Sequence, residues 1–497
     1  MTTATPISGL SQTANDPVEQ LPSGRARWGT LLVVLAGTFM SILDFFIINV
    51  AIPSVQRDLH TNAATIQWIV AGFALAIASL VITGGRLGDL VGRRRAYGIG
   101  LAVFTLASAA CGLAPTAGLL VAGRVVQGAG AALMMPQVLV IIQASFTGNA
   151  RVRGFTAYGL TMGIAAVFGQ LIGGLLIQAD LVGLGWRACF LINVPIGAMA
   201  LVQLRRHVPD APRTGQSRLD IVGVVLSSAA LFAIVLPLVQ GQSQAWPTWT
   251  WLSFAAAVAL IAEFVWYERR LARRGGHPLL DPAMFRVRSL SVGLSAQLAF
   301  NCGLASFFFV FALFVQDGHG FTALESGMLF SAIGIGYLLT SSLAGRIAGV
   351  LGRQTVALGG ALLVVGHLTL LMTYGDVRSL WALSPALAAV GAGMGLVISP
   401  LATVVLARVS PAHAGAASGM LTTVMQVGGA VGVAIVGILF YGVPAGAGHS
   451  ARIGDGFGAA LYFLVAVNAA LVVLVQLLPH DRTEVPNQWN PNQSSTV

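Results

Sequence analysis

The chain has 497 residues, of which 56% are hydrophobic and only 9% charged, with a formal net charge of +10. A mean hydropathy of +0.82 excludes an ordinary soluble chain of two or three domains and places the protein among multi-pass membrane proteins. The positive balance does not call for nucleic acid, because all 27 basic residues are Arg and they sort by side of a membrane.

A spanning helix needs roughly 20 apolar residues, and runs of that order recur from Trp28 to Leu478 with short polar breaks. Residues 1–27 are polar and lack the features of a signal peptide, so they read as a disordered cytoplasmic N-terminus. Spans are predicted at 29–52, 65–85, 96–114, 118–141, 153–178 and 187–204, an N-terminal six-helix half over 28–206. Two further spans at 219–240 and 249–267 occupy a linker over 207–268, and a basic cytoplasmic loop follows over 269–289. Spans at 290–315, 323–345, 354–374, 380–406, 415–440 and 457–478 form a C-terminal half over 290–478, before a polar, disordered cytoplasmic tail over 479–497. The expected fold class is an all-α membrane protein with fourteen spans. With both termini cytoplasmic, 22 arginines fall inside, Arg57, Arg187, Arg378 and Arg452 fall outside, and Arg124 lies within a span. Cys111, Cys189 and Cys302 are isolated in apolar runs and fit neither a metal site nor a disulfide framework.

The two halves repeat each other. Gly85, Arg86, Gly92 and Arg93 in GRLGDLVGRRR recur as Gly345, Arg346, Gly352 and Arg353 in GRIAGVLGRQ, between the second and third span of each half. The same offset of about 260 residues relates QGAGAALMMP, ending at Pro136, to VGAGMGLVISP, ending at Pro400. Internal repeats of this kind build secondary transporters with a midplane site between two halves.

LDFFIINVAIP (Leu43 to Pro53), WRACFLINVPIG (Trp186 to Gly197) and PLLDPAMFRVRSL (Pro278 to Leu290) resemble signatures of the major facilitator superfamily. With the extra pair of spans, the resemblance is to its fourteen-helix drug/proton antiporter branch of EmrB and QacA type, over nearly the whole chain. It implies two six-helix halves plus two additional central helices, a small-molecule substrate, no cofactor beyond a proton gradient, and a place in the bacterial inner membrane. In a Gram-negative cell, such an exporter can work with a periplasmic adaptor. GRLGDLVGRRR resembles the superfamily's cytoplasmic gating loop, which assigns Gly85, Arg86, Gly88, Asp89, Gly92 and Arg93 to a gate. A plain topology anchor is the alternative. GIAAVFGQLIGG resembles the antiporter motif and keeps Gly169, Gly173 and Gly174 for helix packing, but Gln170 stands where the motif has proline, so a weaker kink is expected. Met425 stands where related chains often have Arg.

Asp44 in span one and Arg124 in span four are the charges whose burial needs a reason. A charge at that depth costs at least about 2.5 kcal/mol and calls for a partner or a polar cavity. Both fall in the outer half of the bilayer, so they can approach each other and serve proton coupling, or form a permanent structural pair. Asn49, Gln67, Gln127, Gln137, Gln170, Asn301, Phe308 and His367 are candidates for a substrate cavity. Hydrogen-bonded glue between helices is the competing reading for the polar ones, as core or lipid packing is for the phenylalanine run Phe307 to Phe309 with Phe311. Asp317 and Glu325 read as solvated residues of an outer loop.

No HExxH, GxxxxGK, GxSxG or paired cysteines occur, so neither a membrane protease nor an ATP-driven pump is supported, and no enzyme is expected. The sequence reads as a proton-coupled exporter of small amphipathic or cationic compounds working by alternating access. A dedicated exporter of one endogenous metabolite or antibiotic is the first alternative. A non-transporting scaffold or sensor, which has little reason to bury Asp44 and Arg124, is the second.

Overall fold

A computed structural model describes residues 24–146, 148–209, 220–241, 244–274, 276, 288–376, 380–406, 414–442 and 449–478. The terminal segments expected to be disordered therefore lie outside the described residues up to 23 and from 479, as does most of the basic loop, 277–287.

The first half contains α1 (Gly24–Asp58), α2 (Ala63–Val91), α3 (Arg93–Gly112), α4 (Ala117–Ser145), α5 (Gly148–Ala179), α6 (Ala188–Leu191) and α7 (Asn193–His207). The extra hairpin is α8 (Ile221–Gln240) and α9 (Thr248–Arg273). The second half contains α10 (Arg288–Leu313), α11 (Ala323–Leu351), α12 (Gln354–Thr373), α13 (Ser384–Leu406), α14 (Ala414–Tyr441) and α15 (His449–Gln476). Among the described residues 13 helices are long and apolar enough to cross a membrane, and the two arms of α5 make the count 14. Each predicted span corresponds to one of them. The first starts earlier than expected, at Gly24, and the sixth, Gly185–His207, runs through α6 and α7 with helical φ/ψ at Ile192 between them.

Short polar caps start several helices. Asn62 accepts from Thr65 N at 2.9 Å to begin α2, and Asp220 accepts from Gly223 N at 2.9 Å to begin α8. Glu325, expected in a solvated loop, instead completes a capping box with Thr322 at the start of α11. Asp317, expected beside it, belongs to a π turn over Phe314–Gly318 that continues α10.

α5 bends by 42° between Thr156–Ala166 and Phe168–Ala179, so the bend occurs without the proline that Gln170 replaces. It is accommodated where α5 is clamped on two sides: Gly169 and Gly173 lie on α1 at Phe46 and Ile47, and Gly174 lies on α11 at Ala323. Within the first half α4 packs on α2 and α3, and α1 on α5 and α7; within the second, α13 packs on α11 and α12, and α10 on α14 and α15. α5 on α11 and α2 on α14 join the halves, while α8 lies across α2 and α14. α9 is mostly exposed, with Trp251, Leu252, Val258 and Trp266 open to lipid.

The repeat is visible in backbone geometry. Gly92 (φ 97) and Gly352 (φ 54) occupy the same helix-to-helix junction in each half with positive φ, a conformation that only glycine adopts without strain. Arg94 donates to the Val208 carbonyl at the end of α7, and Arg353 donates to the Leu478 carbonyl just beyond α15, so each junction is tied to the last helix of its own half. Gly92→Ala is expected to destabilise the protein by about 1–3 kcal/mol, read as a lower thermal midpoint in detergent. Gly345→Ala, whose added Cβ meets only open space inside α11, does not lower the midpoint.

Candidate functional site

Polar groups from six helices converge inside the first half. Asp44 of α1 is 0% exposed and Arg124 of α4 is 1% exposed, and they form an ion pair through Asp44 Oδ2 and Arg124 Nη1. Gln127, one turn along α4, donates to Asp44 Oδ1 at 2.8 Å and accepts from Arg124 Nη1 at 2.8 Å. Arg124 Nε donates to the Ile69 carbonyl of α2 at 3.0 Å, and its guanidinium lies 4.1 Å from the Phe73 ring centre. Asn193 of α7 donates to Asp44 Oδ1 at 3.2 Å and to Ser108 of α3 at 3.0 Å, and Ser108 donates to the Phe190 carbonyl of α6 at 2.9 Å. A buried pair repays its desolvation only when its remaining donors and acceptors are satisfied, and here both oxygens of Asp44 and the Nε and Nη1 of Arg124 are engaged. Asn193 sits on the helical stretch of the sixth span, where its amide faces the pair. Ser108 and Asn193 were not singled out from the sequence. Their signal was a polar side chain inside an apolar run, shared with many packing residues.

The central cavity is separate from this pair. It measures about 140 Å³ and lies between the halves, with Phe45, Phe46 and Phe73 on one side and Phe300, Phe308 and Phe330 on the other. Gln170, Asn301, Phe308 and Met425 line it, together with Gln297 and Gln426. Phe73 belongs to both places, facing the cavity and covered by Arg124. At the end away from the Gly85 to Arg95 loop, the halves meet. Gly174 packs on Ala323, Gly327 packs on the Gln170 backbone, and Gln316 Nε2 donates to the Val50 carbonyl at 3.1 Å.

The other candidates lie elsewhere. Asn49 donates to its own helix, at the Phe45 and Phe46 carbonyls, rather than facing the cavity. Gln67 packs on Gly437 of α14, and Gln127 belongs to the ion-pair network. His367 faces a small pocket beside the cavity, with its ring 5.0 Å from Phe307. In the phenylalanine run only Phe308 reaches the cavity, while Phe307 and Phe311 stack on each other at 5.3 Å.

Gln137 belongs to a second network, at the α2 to α3 loop. Arg93 pairs with Asp89 and donates to Gln137 Oε1 at 2.9 Å and to the Gly85 carbonyl at 3.1 Å; Gln137 Nε2 donates to the Gly84 carbonyl at 2.8 Å. Gly88 leaves the space that the Gln137 amide fills. The gate candidates thus join α2, α3 and α4. Arg86 lies in the field of Asp220, then Glu268, then Asp89, which links the loop to the extra hairpin. Glu268, expected at the edge of the basic loop, is 0% exposed within α9. Among the described residues no cluster of His, Cys, Asp or Glu is arranged to hold a metal.

The sequence model of the Major Facilitator Superfamily matches residues 34–433. The chain is 37% identical to the probable actinorhodin transporter of Streptomyces coelicolor, over 92% of this chain and 80% of that protein. It is 33% identical to the puromycin resistance protein of Streptomyces alboniger, over 95% of this chain and 96% of that protein. Its fold resembles the crystal structure of a bacterial homolog of the human lysosomal transporter Spinster, with TM-score 0.65 and 17% identity over 95% of this chain and 100% of that one.

Proposed function

The chain belongs to the Major Facilitator Superfamily, and from that premise we propose that it is an efflux transporter exporting small amphipathic molecules by alternating access, driven by protons moving inward. The observation that carries this reading is a cavity between two halves, which pack on each other backbone to backbone at the Gly174–Ala323 end, with a buried ion pair standing behind its wall. In this reading the protein sits in a bacterial inner membrane with both termini cytoplasmic, as the arginine distribution supports, so the Gly174–Ala323 end is the outer one.

Asp44 carries the coupling proton and Arg124 governs when it is held. With the outer end sealed, Arg124, Gln127 and Asn193 close on the carboxylate, an arrangement that suits the state after release of a proton inside. Rearrangement toward an outward-open state draws Arg124 away and lets Asp44 take a proton from outside. Phe73 conveys the change, because it packs on Arg124 and forms part of the cavity wall. The relatives named for actinorhodin and for puromycin support a second reading, a dedicated exporter of one antibiotic or metabolite. Comparing compound accumulation in cells with and without the protein, with the proton gradient intact and collapsed, tests the proposal. Lower accumulation that disappears on collapse is expected, and unchanged accumulation across a broad compound panel contradicts export.

The loop network acts as a gate. Asp89 and Arg93 are about a quarter exposed, with side chains at 27% and 18%, so their pair is partly screened. Asp89→Asn is expected to slow transport roughly tenfold, the lower end of a charge-assisted hydrogen bond, with substrate affinity in detergent unchanged. A large loss of affinity at normal expression contradicts the gate.

A further inference from the structure

The wall of the central cavity is rich in rings and amides, and among the described residues it holds no side chain that is charged at neutral pH. Its polar groups are the amides of Gln170, Gln297, Asn301 and Gln426 and the hydroxyls of Ser41 and Tyr337. Asp44 and Arg124 do not offset this, since they neutralise each other behind Phe73.

Gln170 is 0% exposed, yet neither its amide nitrogen nor its amide oxygen has a partner in the protein. Gln297 Oε1 is likewise buried and without a protein partner. Native chains rarely keep buried amides unsatisfied, and both of these side chains line the cavity. Together they offer one amide NH2, with two N–H donors, and two acceptor oxygens to an occupant.

The rings set the shape, and no counter-charge stands among them. Phe308 and Phe330 stack at 5.3 Å and 12°, and Phe46 meets Phe308 edge-on at 4.9 Å, so flat surfaces and ring edges bound the space. A cation entering gives up its hydration and meets no carboxylate. Aromatic faces are its remaining compensation, although Phe73 spends one face on Arg124, and Phe308 and Phe330 spend one each on the other. Phe45, Phe300 and Tyr337 also line the wall, so a cation keeps ring contacts but gains no counter-charge. Met135, Met162, Met394 and Met425 supply the pliable remainder of the wall, which accepts variation in outline without adding charge.

We propose that this cavity is a site for uncharged, planar aromatic molecules bearing carbonyl or hydroxyl groups, with the Gln170 amide as their main hydrogen-bonding partner. The assignment rests on the efflux reading for its biological meaning and narrows the substrate from amphipathic or cationic compounds to neutral ones.

The test uses the purified full-length protein in nanodiscs, titrated with 1,8-dihydroxyanthraquinone as the neutral, planar probe and tetraphenylphosphonium as a permanent, non-planar aromatic cation. The quinone is expected to bind at least about tenfold more tightly than the phosphonium. Gln170→Leu is expected to weaken quinone binding about tenfold, the worth of one hydrogen bond, while Gln170→Asn recovers part of the loss and phosphonium binding is unmoved. Phosphonium binding as tight as the quinone's, absence of quinone binding, or an unchanged quinone affinity in a folded Gln170→Leu overturns the assignment. If Gln170→Leu does not fold, Gln297→Leu is read by the same criteria. Uphill movement of each probe into everted vesicles separates the two claims. Selective quinone binding without transport of either probe refutes export and upholds the site, whereas transport of the phosphonium alone upholds export and refutes the site.

Discussion

Asp44→Asn is expected to abolish transport against a gradient while leaving a folded protein. Asparagine retains an oxygen able to accept from Gln127 and Asn193, which now reach Asp44 Oδ1 at 2.8 and 3.2 Å. Arg124 loses its counter-charge but keeps the Ile69 carbonyl, the Gln127 oxygen and the face of Phe73. Breaking a buried pair on one side costs about 3–5 kcal/mol, and these retained contacts favour the lower end of that range. A reduced thermal midpoint therefore accompanies the loss of transport and does not by itself explain it. The double variant Asp44→Asn with Arg124→Gln separates the causes, because it removes both charges. Coupling by Asp44 predicts a midpoint close to wild type and no uphill transport. A purely structural pair predicts that the double variant transports, and uphill transport in reconstituted vesicles decides between them.

Gly174→Leu is expected to produce the second large effect, at the outer seal. A Cβ on Gly174 would come within 2.5 Å of the Ala323 carbonyl oxygen and 2.8 Å of Leu324 Cα, so backbone rather than a flexible side chain stands in its way. Gly327 faces the same constraint from the opposite side, against the Gln170 carbonyl at 2.8 Å. The obstruction lies between α5 of one half and α11 of the other, so the core of each half is untouched. Transport should fall at least tenfold, about 1.4 kcal/mol at the closing step, with near-normal expression and a new reactivity of a cysteine placed at Val50 toward an impermeant outer reagent. Gly84→Leu provides the contrast. Its Cβ would meet the Ala132 and Leu133 backbone inside the first half, and it should cost folding instead. Normal transport by Gly174→Leu would show that the outer seal is not formed by this contact.

The spans and the repeat were legible because bilayer thickness fixes the length of an apolar run and the junction glycines are dictated by backbone geometry. Asp44 and Arg124 were legible because a charge inside a span needs a reason, and the structure pairs them. Rotation of each helix about its axis was not legible. Helices buried on most sides carry no strong amphipathic signal, so nothing in the sequence separated Gln170 and Asn301, which face the cavity, from Gln137, which serves the loop network. Asn193 was hidden for a related reason. Its importance comes from which way it faces, toward Asp44 and Ser108, inside a motif that reads as one continuous span. The position of Glu268 and Asp220 near Arg86 depends on how the extra hairpin lies against α2, which hydropathy does not report.

Proton flux driven by substrate in sealed proteoliposomes tests the central claim most directly. Vesicles carrying a pH dye are preloaded with substrate, and a sudden outward or inward substrate gradient is imposed with no initial pH difference. The account predicts proton movement opposite to the substrate in the wild type and none above background in Asp44→Asn. Substrate movement without any counterflow of protons in the wild type, or the same counterflow in Asp44→Asn, would contradict it.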